Sequence, residues 1–455
     1  MSGRGPRLTA ASGSVLTALA LLGGCAHYAP FPLDPVPPLA PALTALPGAS
    51  NTASYDVAQI TALALQNNPD LRAERAKRGI AQAQLLQSGI LPNPSVSGAI
   101  LPLLAGAGSI TGWTAGISQN IKAIVTYKSR RRQSGYAAQQ VDADILWQEW
   151  QVAGQARQLA IHLISAERSR PILAEAFDLL SRRDTVLQQA LAARNVTLVA
   201  VAPTRVALQG ARANLLALDQ RELALRHQLN ALLGLVPDAV VPLTPTIDLP
   251  AFDPPAIRAG LAGLPDRRPD LLALRLGYAA QDEGVRQAIL SQFPDLIFGA
   301  QASSDNAGII NGGPSMTIGL PIFDRNQGNI AIANATRAQL NAAYSARLAA
   351  ATGQVGAMLS EMEQLQDQLN LVRRDLPAAR LAAARAARAF GASNLDERSY
   401  VDLVTNRYAK EQEVMTLELS LRDRQVALQT LLGAGLPSVE TLPAPYVADA
   451  KVPQP

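Results

Sequence analysis

The strongest constraint in this 455-residue chain is that it says nearly the same thing twice, about 200 residues apart. Pro69, Asp70, Leu71, Ala73, Arg75, Gln87 and Pro94 match Pro269, Asp270, Leu271, Ala273, Arg275, Gln287 and Pro294. With a small drift, Thr114 and Gly116 match Thr317 and Gly319. Near the ends of the halves, Leu232-Leu233-Gly234 matches Leu431-Leu432-Gly433. A long-period repeat has to be recognised before any fold is assigned. It makes this length one body of two similar halves rather than two or three unrelated domains. Only 4% of residues are aromatic while nearly half are apolar, so Ala and Leu supply the core, which favours packed helices. Forty basic and 36 acidic residues are interspersed, so nothing points to nucleic acid.

The N-terminus reads as an export signal. Arg4 and Arg7 precede the apolar run Leu8–Gly24, too short for a spanning helix. The run ends Leu22-Gly23-Gly24-Cys25, similar to a bacterial lipobox, with Cys25 the only cysteine of the chain. Residues 1–24 are therefore expected to be a lipoprotein signal peptide and Cys25 the lipidated first residue. Several acyl chains anchor far more firmly than one. With Ala26 after the cysteine, resemblance to bacterial lipoproteins implies the outer membrane. Residues 25–55, proline-rich and nearly uncharged, read as an extended tether.

Each half then follows one plan. The first, 56–235, starts with helical pattern from Asp56 to Gln87. The uncharged segment Gly89–Ile121 follows, reading as strands Pro94–Leu103 and Thr111–Ile121. A helical hairpin over 127–233 completes it. The second, 269–435, repeats this, with strands Asp295–Ser303 and Ser315–Phe323 and a hairpin over 326–432. Residues 236–268 form a proline-rich connector with one short helix near Ala256–Ala262, and 436–455 a proline-rich tail. Val141, Ile145, Val152, Leu159 and Leu163 keep the spacing of a coiled-coil seam. Sixty helical residues span roughly 90 Å, beyond an ordinary core. Pro203 is expected in the first turn of the return helix, where proline is tolerated. Pro171 and Pro377 lie inside the long helices and are expected to bend them.

Strands of about ten residues have the length of tilted transmembrane strands. Four cannot close a barrel, and lipid does not tolerate an open edge. Insertion therefore requires oligomerisation, and three copies give twelve strands. The fold class is mainly α, with long coiled-coil hairpins and four transmembrane β-strands per chain.

This order of elements resembles the TolC-like outer-membrane efflux proteins, in particular the lipoprotein branch paired with resistance-nodulation-division pumps. The resemblance spans Asp56–Gly435. It rests on Asn68-Pro69-Asp70-Leu71, Leu91-Pro92-Asn93-Pro94-Ser95, Arg267-Arg268-Pro269-Asp270-Leu271 and Gly319-Leu320-Pro321-Ile322-Phe323-Asp324. It implies a homotrimer with a twelve-stranded barrel over an α-helical tunnel, in contact with outer-membrane lipid. A periplasmic adaptor and an inner-membrane pump would be its partners. The implied function is a passive exit duct for small molecules or ions. A lipoprotein scaffold or adaptor without a pore, or an exit duct for protein secretion, stands as the alternative reading.

By the same resemblance, the hairpin tips would gate the tunnel and meet the adaptor. The candidates are Asn195, Gly391, Asn394, Asp396, Glu397, Arg398 and Asp402. Asp396, Glu397 or Asp402 in three copies would form an acidic ring. The plainer alternative is helix-end chemistry, since acids in a first turn favour the dipole and cap free N–H groups. The first tip departs from this pattern, with Ala192 and Pro203 where the family has glycine and aspartate. Lys122, Lys128 and Arg130–Arg132 would attract lipid headgroups or begin a solvated helix equally well. Trp113 fits a membrane interface, and Trp147 and Trp150 fit packing. His27, His162 and His227 share no ligand spacing, so no metal site is expected. No cofactor is expected beyond the covalent lipid. No nucleophile elbow or phosphate loop is present, which argues against an enzyme. Replacing Cys25 by serine is expected to abolish incorporation of labelled palmitate, and retained label would contradict the lipobox reading.

Overall fold

The computed structural model describes residues 28–249 and 253–442. Cys25 and the signal segment lie outside them. Residues 28–39 belong to a separate unit, irregular and largely exposed, with Phe31 95% and Leu33 93% accessible. The remainder forms the main body.

The body begins with a correction to the tether. Residues 40–55 are strapped to the connector rather than free. Ala40 bridges Leu235 and Tyr55 bridges Leu243, both in parallel. Leu43, Leu46 and Tyr55 are buried in the largest core cluster, together with residues from the middle of the first long helix (152–164) and the end of its return helix (225–233). Prolines interrupt helix and ladder alike, yet the apolar residues between them still find a core.

The expected first helix is two. α1 (Val57–Asn67) opens with a capping box in which Asp56 accepts from Gln59 N and Gln59 accepts from Asp56 N. α2 (Pro69–Ser88) starts afresh, because Asn68 adopts ψ 125° before proline and its side chain caps Leu71 N at 2.9 Å. The repeated Pro-Asp-Leu is thus a helix start. β1 (Ser95–Leu101) and β2 (Gly112–Asn120) follow, then α3 (Lys122–Ala192) and α4 (Leu198–Leu233). The connector holds α5 (Pro254–Gly260), a 3-10 turn at Leu261–Gly263 and one-turn α6 (Leu264–Arg267), more helix than expected. The second half runs α7 (Pro269–Leu290), β3 (Leu296–Ser304), β4 (Ile310–Ile318), α8 (Gln327–Gly391) and α9 (Glu397–Leu432).

α3 has 71 residues and α8 has 65, about 106 Å and 98 Å at 1.5 Å per residue. Both continue as helix through Pro171 and Pro377. Pro203 is the sixth residue of α4, not in its first turn. The backbone bond it forfeits would have reached Val199, which is 82% exposed, so water can serve that carbonyl. Gly234 and Gly433, the matched glycines, end α4 and α9 with the same φ of +74°. A Cβ on Gly433 would also lie 2.2 Å from the Trp150 ring. Trp150 is buried, and its indole donates to Pro437 O at 2.8 Å.

The four strands form one antiparallel sheet in the order β1-β2-β3-β4, its central pair joining the two halves. β4 starts five residues earlier than expected. Asp305 accepts from Ala307 N and Ile309 N, and Gly308 takes φ +87°, so the turn is tight. Thr317 pairs with Ile297 near the helical end of the sheet, whereas Thr114 pairs with Ala99 and Ser303 near the loop end. Those two matched threonines are not structural equivalents.

The second Pro-Asp-Leu start carries a buried charge cluster. Arg268, 1% exposed, gives two hydrogen bonds to Asp270, and Arg347 Nε gives a third at 2.6 Å. Both guanidiniums lie over the Trp147 ring. Burial opposes ionisation of Asp270, but the bonds and charges of Arg268 and Arg347 outweigh it and hold the carboxyl below its ordinary range. Its stabilisation is present above the unfolded-state pKa near 4 and is lost as pH falls through the lower folded value. Asp270→Ala should cost about 3–5 kcal/mol by leaving Arg268 buried and unpaired. Thermal unfolding in detergent at neutral pH should show it, and the gap from wild type should shrink below about pH 4.

Candidate functional sites: the sheet and the hairpin tips

Directly opposed residues in an antiparallel sheet share a face, and neighbours along a strand alternate. The register therefore sorts every strand residue. One face carries the rows Ile100-Trp113-Ser304-Ile310 and Val96-Ile117-Ala300-Pro314, with Phe298 opposite Met316 and Leu296 opposite Ile318. The other carries Ala99-Thr114-Ser303-Asn311, Ser97-Gly116-Gln301-Gly313 and Ser95-Ser118-Gly299-Ser315. The exceptions, Gln119 and Ser304 on the first face and Leu101 and Ile297 on the second, all sit at or next to strand ends. An apolar face and a polar face are thus cleanly separated. The apolar one is exposed in the single chain: Val96 82%, Ile100 78%, Ile310 71%. Among the described residues no helix is long and apolar enough to cross a membrane.

At the helical end of the sheet the basic cluster is largely engaged within the chain. Lys122 pairs with Asp295 at 3.0 Å and Arg132 with Glu283 at 3.8 Å. Arg130 donates to Ser88 O and Ile90 O, and Arg131 to Tyr127 Oη. This favours a structural role over a lipid-binding one for most of the cluster.

At the opposite end, α3 and α4 are joined by residues 193–197, and α8 and α9 by 392–396. The two turns close alike. Asn195 N donates to Ala190 O and Asn394 N to Ala389 O, and the left-handed residue just before each is Arg194 (φ 61°) or Ser393 (φ 60°). Gly391 is still helical, and a Cβ there would meet nothing. The exchange of glycine for Ala192 therefore leaves the first turn unchanged.

What differs is the start of the return helix. Asp396 caps α9, accepting from Ser399 N at 3.0 Å and Ser399 Oγ at 2.7 Å, which lowers its pKa. Thr197, its counterpart, makes no side-chain cap. Glu397 does not project freely. Its carboxylate accepts Arg183 Nε at 3.0 Å, Arg183 Nη2 and Thr204 Oγ1 at 2.7 Å, binding α9 to both helices of the first hairpin. Arg183 also stacks 4.2 Å from the Phe390 ring, which stacks on Tyr400 at 4.8 Å. Sequence spacing gave no sign of this interlock, because its partners lie 193 and 214 residues away.

About three turns along α9 is a second tier. Tyr408 donates to Glu175 at 3.1 Å, and Arg380 and Arg407 converge on Glu411. Burial pushes the Tyr408 hydroxyl upward, and Glu175 adds to that shift. Asp402 and Arg398 stay exposed and 3.9 Å apart. Among the described residues no group of three or more His, Cys, Asp or Glu could hold a metal ion. His162 instead bonds Asp423 at 2.7 Å. Glu397→Ala should raise amide exchange across 392–402 roughly ten- to a hundredfold, the range expected for losing charged hydrogen bonds. Unchanged exchange would show that Glu397 does not hold the tips together.

Residues 264–434 match the sequence pattern of the family described as outer membrane efflux protein. No curated protein sequence matches the chain. Solved structures share its fold. CusC, whose structures concern folding and transmembrane channel formation, is 18% identical, with 89% of this chain and 99% of that one covered at a TM-score of 0.66. VceC, an outer membrane protein of Vibrio cholerae, is 17% identical over 83% of this chain and 96% of that one, at 0.69. The open-state MtrE outer membrane channel of Neisseria gonorrhoeae is 15% identical over 90% and 98%, at 0.63.

Proposed function

Taking the chain as a TolC-like outer membrane efflux protein, we propose that it is the passive exit duct of a tripartite efflux system. The observation that carries this is the two-faced, open-edged sheet continued by helices about 100 Å long. An apolar outward face with a polar inward one is the pattern of a membrane barrel wall. One chain supplies a third of such a wall, and three give twelve strands. The apolar face meets lipid, the polar face lines the lumen, and the helices continue the conduit into the periplasm. The lipid on Cys25 anchors each chain to the outer membrane.

The hairpin tips face the adaptor, and an inner-membrane pump supplies the energy. Asp402 and Arg398 are the exposed charges we assign to the gate, with Asn195 and Asn394 at the adaptor contact. Asp396 acts as a cap and Glu397 as the internal latch. The cargo is a small molecule or an ion. The full-length protein in planar bilayers should give single-channel conductance. Absence of conductance, with release from membranes by high salt and lipase, would make it a scaffold instead. Deleting its gene should sensitise cells to at least one dye, antibiotic or metal salt, and an unchanged profile across all of them would count against efflux.

A further inference from the structure

We infer that the strand-lined section of this duct is blind to charge, passing cations and anions alike. This rests on the reading above that the polar face lines the lumen.

No strand carries an ionisable residue. The polar face offers hydroxyls and amides: Ser97, Thr114 and Ser118 from the first half, Gln301, Ser303 and Asn311 from the second. Such groups both donate and accept, so solutes of either sign find partners without a fixed field. Rings of charged side chains are what give a pore its sign preference, and the strands supply none. The nearest charges sit beyond the strand ends. Asp295 is paired with Lys122, and Asp305 is fixed in the loop-end turn by two amides, keeping its charge outside the strand-lined section. The loop over 102–111 has none.

Three of the four polar-face glycines lie where the sheet is crowded. A Cβ on Gly112, Gly116 or Gly299 would lie 2.9, 3.0 or 2.4 Å from a neighbouring atom, whereas one on Gly313, on the edge strand, would meet nothing within 4 Å. On the apolar face, Gly98 and Gly312 would meet nothing closer than 3.6 Å. Glycine kinks of this kind let a sheet curve, and crowding falls on the inner side.

The test uses the full-length protein in proteoliposomes, with single cysteines at Gln301→Cys, Ser97→Cys and Ile117→Cys, and the unsubstituted chain as the background for Cys25. Each is treated with anionic sulfonatoethyl and cationic trimethylammonioethyl methanethiosulfonate, and rates are divided by those for a free thiol in solution. Gln301→Cys and Ser97→Cys should react with both reagents at normalised rates within about threefold of each other, because a charged cleft would enrich one sign tenfold or more. Ile117→Cys should be protected. Adding Ser303→Asp to Gln301→Cys should shift the ratio about tenfold toward the cationic reagent. A tenfold bias at Gln301→Cys with Ile117→Cys protected would overturn the inference and leave the duct standing. Ile117→Cys as reactive as Gln301→Cys, or neither lumen position reacting, would overturn the barrel reading itself.

Discussion

Unpaired backbone at a strand edge costs several kcal/mol per group in hydrocarbon, and this chain has two such edges. β1 and β4 each pair on one side only within the chain. That fact organises everything else. A sheet with an apolar face exposed along four strands is unstable in water, and its open edges are unstable in lipid. Closure with further copies, as proposed above, would answer both. The duplication then follows as economy of means: each half supplies one hairpin of wall and one hairpin of tube.

The rest of the body fixes the geometry such closure needs. The largest core cluster gathers the strap, α1, the middle of α3 and the end of α4, so the lower part of the first hairpin is packed against the strap. The Arg268-Asp270-Arg347 cluster over Trp147 does comparable work for the second half by charge rather than by apolar contact. Far from both, Glu397 and the Glu175–Tyr408 tier hold the two hairpins side by side near their tips. The halves share a scaffold and differ in chemistry. α2 and α7 start at the same motif, yet Arg75 bonds Glu149 where Arg275 bonds Asp266. The tips show the same division, with a common turn and unlike return helices.

Much of this was legible in the sequence. The repeat gave the element order, and charge-poor runs located the sheet. Three things were not legible, for separable reasons. The faces of the sheet stayed hidden because Ala and Gly occur on both and blur the alternation along any one strand. Only the cross-strand register separates them. The strap looked like a tether because its prolines mask a few residues that pack, Leu43, Leu46 and Tyr55. The fate of Glu397 could not be read from its own helix, where it resembles any acid in a first turn, because its partners come from the other half of the chain. Gly391 misled for the opposite reason: the residue type that signals a turn is present, while Ser393 carries the left-handed conformation.

Closing the proposed barrel requires β1 of one chain to pair with β4 of the next, since these are the two edge strands. Amide hydrogen exchange on the membrane-embedded protein reads this directly, strand by strand. If the sheet closes between chains, β1 and β4 are protected as strongly as β2 and β3. Fast exchange in β1 and β4 beside protected β2 and β3 would mean the edges are open, and would contradict the account.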